Sequence, residues 1–296
     1  MRIDPYHLIS TPIPILPHLE LKAFAGVSGE DPEGKRHQGK GFSVWLTIYS
    51  PLGQFLERKQ IDELSFGARK FYNLSELTQS FKFKEPYLSV IHRVPLDLKI
   101  ENGMVEIPVN YDTDFDMFRT VVQFADQKGG AGSVIYETPP HFNENPSKKG
   151  AHLSFSNQMM IGKEANTYLL LINYSVNSAY STSAARSLFI FGADGSEKAL
   201  THNVILPFGI DVINLSELVD QNPENYEELE QYSYVACSRD ASLIPLILNV
   251  NVRGGGVSLE HTHPPNSYLN MPMHHLSSVR KEAIEYFLAK AEALHA

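Results

Sequence analysis

Apolar and polar residues alternate along most of this chain, in short segments separated by turn residues. Successive side chains of a β-strand point to opposite faces, so a period of two predicts strands with one buried face. Segment 19–24 shows this pattern, and 44–49, 87–92, 120–125, 168–173, 188–191, 211–214, 233–237 and 246–252 are further short segments predicted to be strands. Strands that recur between turns, with little helical periodicity, are typical of antiparallel β-sandwiches. The pattern therefore predicts an all-β protein.

The chain also contains an internal repeat. The pentapeptide Asn-Leu-Ser-Glu-Leu occurs at 73–77 and again, unchanged, at 214–218. Upstream of it, a Leu-x-Ile segment with a following glycine occurs in both places, at 46–53 and 188–195. Matches in the same order along two stretches indicate a duplicated unit. We therefore predict two tandem Ig-like antiparallel β-sandwich domains, spanning 1–145 and 146–275.

The first copy contains extra residues near 95–118. Within them, Glu101-Asn102-Gly103 is a turn signal, because Asn-Gly tolerates the positive φ angles of a tight hairpin turn. The residues on both sides alternate between apolar and polar, as half-buried strands do. An extra β-hairpin is therefore expected in the first domain.

The segment 276–296 has a helical period instead. Ser277 or Ser278 can cap the start of this helix, and Ser75 and Ser216 can cap short turns in the two repeats. Apolar residues on one face, with charged residues elsewhere, predict an amphipathic helix. The apolar face consists of Val279, Ala283, Ile284, Phe287, Leu288, Ala291 and Leu294.

Two partners for this apolar face are equally open, the chain's own sandwich and a neighbouring subunit. Sandwich domains also have edge strands that must be covered or paired. The proline-rich segment 11–17 and the C-terminal helix are the available covers. Because a helix at the end of a chain can reach a neighbour, we expect a homo-oligomer.

One block of the second copy has a recognisable order of elements. It runs through 188–195, 204–209 and 212–218, with a small-residue loop before it and a turn before a short leucine-containing segment. This block resembles the Ig-like β-sandwich of the sensory-rhodopsin-transducer type and related bacterial adhesion-like modules. The resemblance implies soluble, oligomeric binding modules, and it brings no catalytic residue.

Charge excludes two classes of partner. The chain has 296 residues, with 25 lysines and arginines against 34 aspartates and glutamates, for a formal net charge of −9. Nucleic-acid-binding proteins usually present a basic stripe, and the sequence shows none. Anionic membrane surfaces are disfavoured for the same reason. We expect no nucleic-acid or membrane partner.

The cellular setting follows from the cysteine and the apolar runs. Cys237 is the single cysteine, so no intrachain disulfide can form, and a buried, inert thiol is expected there. The longest aliphatic run is 169–172, whereas a membrane span needs about 20 apolar residues. The first residues include a charge and a proline where a signal peptide needs an apolar core. These features predict a cytoplasmic protein.

Histidines near the end of the second copy form the main candidate site. In Glu260-His261-Thr262-His263, the two imidazoles lie on one face of a strand and could reach one metal ion. His274 could supply a third ligand. The alternative is that these histidines lie on the surface or make ordinary hydrogen bonds. Apart from such a divalent transition metal, we expect no cofactor.

No catalytic motif is present in the sequence, since the chain lacks the Gly-x-Ser-x-Gly of a nucleophile elbow. We therefore expect a non-catalytic binding or assembly protein, with a carbohydrate or small metabolite as its ligand. The alternative is a metal-dependent enzyme that uses His261 and His263. A structural subunit of an oligomer is a third interpretation.

Overall fold

The computed structural model describes residues 2–4, 6, 9–28, 41–65, 67–96, 100–106, 120–136, 151–175, 179–220, 222, 225–251, 253, 255–261 and 273–293. In these ranges the strands form four sheets of four antiparallel strands and one sheet of three. The predicted all-β fold, with two tandem sandwich domains and a C-terminal helix, is confirmed. The predicted boundary between 145 and 146 lies outside the described residues.

The elements of the first half are β1 (Arg2–Ile3), β2 (Ser10–Ile15), β3 (Lys22–Ser28), β4 (Phe42–Tyr49), β5 (Phe55–Leu64), β6 (Arg69–Asn73), α1 (Leu74–Leu77), β7 (Tyr87–Pro95), β8 (Ile100–Glu101), β9 (Met104–Glu106), β10 (Thr120–Ala125) and β11 (Ala131–Tyr136). The elements of the second half are β12 (His152–Ile161), β13 (Ala165–Asn173), β14 (Ala184–Gly192), β15 (Glu197–Ile205), β16 (Gly209–Asn214), α2 (Leu215–Leu218), β17 (Glu230–Ser238), β18 (Ile244–Asn251), β19 (Gly256–His261) and α3 (Met273–Ala293).

The two halves have the same topology. The sheets of the first are β2-β7-β4-β5 and β11-β10-β3-β6, and those of the second are β12-β17-β14-β15 and β19-β18-β13-β16. When β1, β8 and β9 are left out, each strand of the first half has its counterpart at the same place in the second. The sequence repeat therefore reflects duplication of a whole sandwich.

The extra hairpin of the first domain is formed by β8 and β9. Asn102 (φ 51°) and Gly103 (φ 74°) both have positive φ angles, as a two-residue turn between twisted strands requires. Strand β9 also pairs with β1, which makes a sheet of three short strands. Residues 107–118 of the predicted region lie outside the described residues.

The caps of the two short helices differ from the prediction. Asparagine, rather than Ser75 or Ser216, is the cap residue: the Asn73 side chain accepts from Glu76 N, and that of Asn214 accepts from Ser216 N. Ser75 Oγ instead accepts a hydrogen bond from Ala23 N in β3 at 3.0 Å. A cap residue directly precedes the first helical residue, and here that residue is asparagine, before Leu74 and Leu215. The serine lies inside the helix, where its hydroxyl group can bond to the sheet.

The sheet β19-β18-β13-β16 is buried on both of its faces. Leu169 and Ile247 pack inside their own sandwich, while their neighbours Leu170 and Leu246 point to the opposite face, and all four are completely buried. A strand with two buried faces needs a continuous apolar run instead of an alternating one. The run at 169–172 therefore marks a sheet that lies between the two domains.

The first domain covers the outward face of this sheet and the turn beside it. The rings of Tyr49 and Phe208 stack with centroids 4.6 Å apart, and the Tyr174 hydroxyl donates to Ser10 Oγ at 2.8 Å. Buried side chains of both domains belong to one continuous apolar cluster. The two sandwiches therefore form one packed unit.

The equivalent sheet of the first domain, β11-β10-β3-β6, has one buried face. Residues of β10 alternate between buried and partly exposed, unlike those of β18. The register matches three positions on its outer face with apolar positions of the second domain. These pairs are Gln123 with Leu248, Ser133 with Leu259, and Arg69 with Ile210. The outer face of the first domain is thus more polar than its counterpart.

Strand β2 lies at the edge of its sheet, yet all six of its residues are buried. Arg93 N donates to Ile9 O at 2.9 Å. Alternation along the strand then places Pro12 and Pro14 at positions whose backbone groups face away from β7. Proline has no N–H to donate, so these positions suit it. Most of the proline-rich segment 11–17, expected to cover an edge strand, is thus itself part of a buried edge strand.

Edge strands β11 and β19, one from each domain, approach each other closely. A Cβ atom at Gly132 would lie 2.7 Å from Val257 O and 2.8 Å from Leu259 N. A Cβ atom at Gly130 would lie 2.7 Å from Gly256 Cα. The two strands can come this close only because glycine has no side chain.

The helix α3 packs on its own chain. Ile284 lies in an apolar cluster with Leu153 and Cys237, and the rings of Phe287 and Phe189 are 5.2 Å apart. The helix therefore covers the outer face of β12-β17-β14-β15. A homo-oligomer stays a prediction, and it would have to use a surface other than this face.

The start of α3 differs from the predicted bound at 276. The helix begins at Met273, so Ser277 and Ser278 lie inside its first turns. Ser278 Oγ donates to Glu282 Oε1, one turn further along. Helix ends are poorly determined by a periodic pattern, because apolar spacing marks the packed face and not the first turn.

We expect Ile284→Ala to lower the free energy of unfolding by about 2–5 kcal/mol, the usual cost of emptying a buried aliphatic site. Tyr286→Ala, at a neighbouring side chain that is 64% exposed, should change it by no more than about 0.5 kcal/mol. Chemical denaturation measures both. Because the contact is made within one chain, the loss should not depend on protein concentration; a concentration-dependent loss would contradict this packing.

A second prediction concerns the contact between the domains. Gly132→Ala should lower the free energy of unfolding by about 1–3 kcal/mol, because the new methyl group overlaps the backbone of β19. Gly256→Ala is the control, since a Cβ there meets nothing closer than 3.5 Å, and it should leave stability unchanged or raise it by less than about 1 kcal/mol. Equal effects of the two substitutions in thermal unfolding would show that β11 and β19 are not in tight contact.

Candidate functional site

A cavity of about 780 Å³ lies where the two domains meet beside β12. Its walls are residues 155–158 of β12, 233–235 of β17 and 259–261 of β19, together with Val134 of β11 from the first domain. Ligand pockets commonly have volumes of about 300–1,000 Å³ and occur between domains. This cavity is therefore the candidate functional site.

A β-bulge in β12 shapes one wall of the cavity. Ser156 is opposite Tyr234 and Met159 is opposite Tyr232, so β12 has one residue more than its partner strand between these pairs. A bulge re-aims the side chains beside it. Here it brings the exposed side chains of Asn157 and Gln158 to the cavity.

The bulge is held by polar contacts that leave these two amide side chains available. Gln158 N donates to Ser156 Oγ at 3.2 Å, and Gln231 Nε2 donates to the backbone carbonyl of Asn157 at 2.6 Å. Within the described part of the chain, the side-chain amides of Asn157 and Gln158 have no hydrogen-bond partner. They can therefore donate to and accept from a ligand.

An apolar surface lies beside these amides. The Phe155 side chain is 38% exposed, although a phenylalanine side chain gains most from complete burial. Leu259 and Val134 extend the apolar wall across the junction of the domains. A half-exposed aromatic ring next to free amides is suited to a ligand that has both an apolar face and hydroxyl groups.

Glu260 is the charged group of the cavity. It is partly buried, and burial raises the pKa of its carboxyl group. Across the described residues it has neither a hydrogen-bond partner nor an ion-pair partner, and no lysine or arginine lines the cavity. Such a carboxylate loses hydration without gaining a partner in the protein.

Of the three predicted metal ligands, His261, His263 and His274, the structure describes the side chain of His261 only. His261 ends β19 and lines the cavity. His263 lies outside the described residues, and the backbone of His274 belongs to the first turn of α3. The described residues contain no group of three or more histidine, cysteine, aspartate or glutamate side chains that could hold a metal ion. The metal site stays a prediction.

A second cavity, of about 550 Å³, lies between α3 and the β14–β15 hairpin. Ser187 Oγ and His202 Nδ1 are 2.9 Å apart in it, as residues directly opposite each other on paired strands. Arg239 in its wall pairs with Glu285 at 2.6 Å. Its charged groups already have partners in the protein, which favours the first cavity as the functional site.

The prediction for Cys237 is confirmed. Its side chain is completely buried in the cluster under α3, and burial raises the pKa of its thiol to about 11. The thiolate is the reactive form of cysteine, so a thiol with this pKa is inert at neutral pH.

No protein-family model matches the chain, and no curated protein matches it. It is similar to solved structures of a β-glucuronidase from glycoside hydrolase family 2 (10% identity, 85% of this chain and 23% of that chain, TM-score 0.19) and of Bacteroides uniformis β-glucuronidase (9%, 85% and 25%, TM-score 0.18). A third is the BSP domain of a biofilm-associated protein (11%, 88% and 61%, TM-score 0.23).

The chain thus spans about a quarter of the length of these two glucuronidases. At such TM-scores the similarities carry no argument about function, and the resemblance to sensory-rhodopsin-transducer modules stays a prediction. As to membranes, none of the helices in the described ranges combines the length and apolar character that crossing a bilayer requires.

Glu260 provides a testable pH dependence. Its pKa is raised by burial, so the folded state binds this proton more tightly than the unfolded chain does. The free energy of unfolding should therefore fall as the pH rises above the usual carboxyl value of 4.5, until the folded-state pKa is passed. Glu260→Gln should remove this pH-dependent loss of stability, so the variant should be more stable than the parent protein at neutral pH.

Chemical denaturation of both proteins across this pH range measures the difference. Glu164→Gln, at an exposed position in the turn between β12 and β13, is the matched control and should follow the parent protein. Parallel stability curves for the parent and Glu260→Gln would refute the assignment.

Proposed function

We propose that this protein is a non-catalytic binding module whose ligand is a carbohydrate or another small polyhydroxy metabolite, bound in the cavity between its two domains. The observation that carries the proposal is the lining of that cavity. Phe155 offers a half-exposed ring, and Asn157 and Gln158 offer amides beside it that have no partner among the described residues. A sugar ring has an apolar C–H face and a polar rim, which these two kinds of group complement.

The arrangement supports binding rather than glycoside hydrolysis. Glycosidases generally place two carboxyl groups on either side of the scissile bond. Among the lining residues that the structure describes, Glu260 is the only carboxylate. One carboxylate can orient a ligand, but it does not supply both an acid and a base or nucleophile.

The packing of the domains favours a preformed site. The walls come from three strands of the second domain and one of the first, and the domains share one apolar cluster. A preformed site does not have to be ordered when the ligand binds, so less binding energy is lost. The bulge in β12, fixed by its own hydrogen bonds, adds to this effect.

The experiment is an NMR titration of the full chain with a panel of mono- and disaccharides and small polar metabolites. A ligand should shift resonances of 155–158, 233–235 and 259–261 together. Phe155→Ala should weaken its binding by about tenfold, the effect of removing one aromatic contact. The melting temperature of this variant should stay close to that of the parent, because the ring is already partly exposed.

Phe71→Ala is the matched control, because Phe71 is another exposed aromatic residue, on the outer face of β6. It should leave the affinity unchanged. If Phe71→Ala abolishes binding and Phe155→Ala does not, the ligand binds the outer face of the first domain and this proposal is wrong. If no compound in the panel shifts the cavity resonances, it is wrong as well.

A further inference from the structure

We infer that the ligand of this cavity carries a primary ammonium group, as an amino sugar does, and that Glu260 is the group that receives it. This inference rests on the proposed function, because it names the class of ligand for the same site. It assigns a role to Glu260, the one carboxylate among the described lining residues, to which no described residue offers a cation.

The charges around Glu260 support a cationic ligand. None of the lining residues that the structure describes is a lysine or an arginine. Two other carboxylates whose side chains are mostly covered do have cations: Asp211 lies 2.5 Å from Arg186, and Glu197 lies 2.5 Å from Lys290. A partly buried carboxylate without such a partner is stabilised when a ligand brings the missing positive charge.

The other walls can accept the rest of the same ligand. Phe155 presents its ring within the same cavity, and an aromatic face attracts an ammonium group as well as a C–H surface. Asn157 and Gln158 both donate and accept hydrogen bonds, as ring hydroxyl groups require. The overall charge of −9 also raises the local concentration of cations around the protein.

Three probes that differ in one substituent test the inference. Glucosamine, glucose and N-acetylglucosamine share a ring, but only the first carries a charged amine at about pH 6.5. NMR titration should show glucosamine binding about tenfold or more tightly than the other two, the effect of one charge-assisted hydrogen bond. Raising the salt concentration should reduce this preference, since it is electrostatic.

Glu260→Gln should bring the three affinities close together, because glutamine keeps the shape of the side chain and removes its charge. Glu164→Gln should keep the tenfold preference, which excludes a general effect of net charge. Equal affinities for glucosamine and glucose in the parent protein, or a preference that survives Glu260→Gln, overturn the inference while leaving a sugar-binding cavity in place. If other sugars bind and all three probes fail, the inference is also wrong; if nothing binds, the proposed function falls with it.

Discussion

Burial of both faces of the sheet β19-β18-β13-β16 is the constraint on which the rest of this structure depends. Its inner face closes the second sandwich, and its outer face is covered by the first domain, so neither domain could be removed without exposing leucine and isoleucine side chains to water. The stacked rings of Tyr49 and Phe208 and the hydrogen bond from Tyr174 to Ser10 fix the relative position of the domains. This arrangement brings Val134 of β11 into the wall of the cavity, whose other described lining residues belong to the second domain.

The outer faces of the two equivalent sheets β12-β17-β14-β15 and β2-β7-β4-β5 are covered in different ways. In the second, α3 packs over the outer face of β12-β17-β14-β15. In the first, the corresponding sheet is covered by the second domain, with Phe208 against Tyr49, and by the N-terminal segment, where the rings of Tyr6 and Trp45 are 4.9 Å apart. Duplication thus gave two similar sandwiches, and the packing of each outer face made them different.

Local patterns were sufficient for nine of the strands, the Asn-Gly hairpin, the C-terminal helix and the duplication, but strands such as β5, β12 and β15 were not among the predicted segments. They failed where neighbouring residues compete, as at the caps, where asparagine precedes the serine that was expected to act. The cavity could not be predicted, because it depends on a bulge in β12 and on the approach of β11 to β19, both of which involve residues far apart in sequence. Glu260 lies next to a histidine that the sequence singled out, but only the three-dimensional structure shows that no cation among the described residues pairs with its carboxylate.

The outer face of β11-β10-β3-β6 carries exposed Phe71 and Ile135, but at three positions that are apolar in the second domain it carries polar residues, as a capping repeat does. The interface between the domains is head-to-tail, and an interface of that kind can in principle be propagated into a filament. A further sandwich added at this face would bury Gln123, Ser133 and Arg69. The equivalent positions in the existing junction are the apolar Leu248, Leu259 and Ile210. Terminal repeats of stacked proteins carry polar outer faces for this reason. These three polar side chains therefore disfavour the addition of a further sandwich at this face.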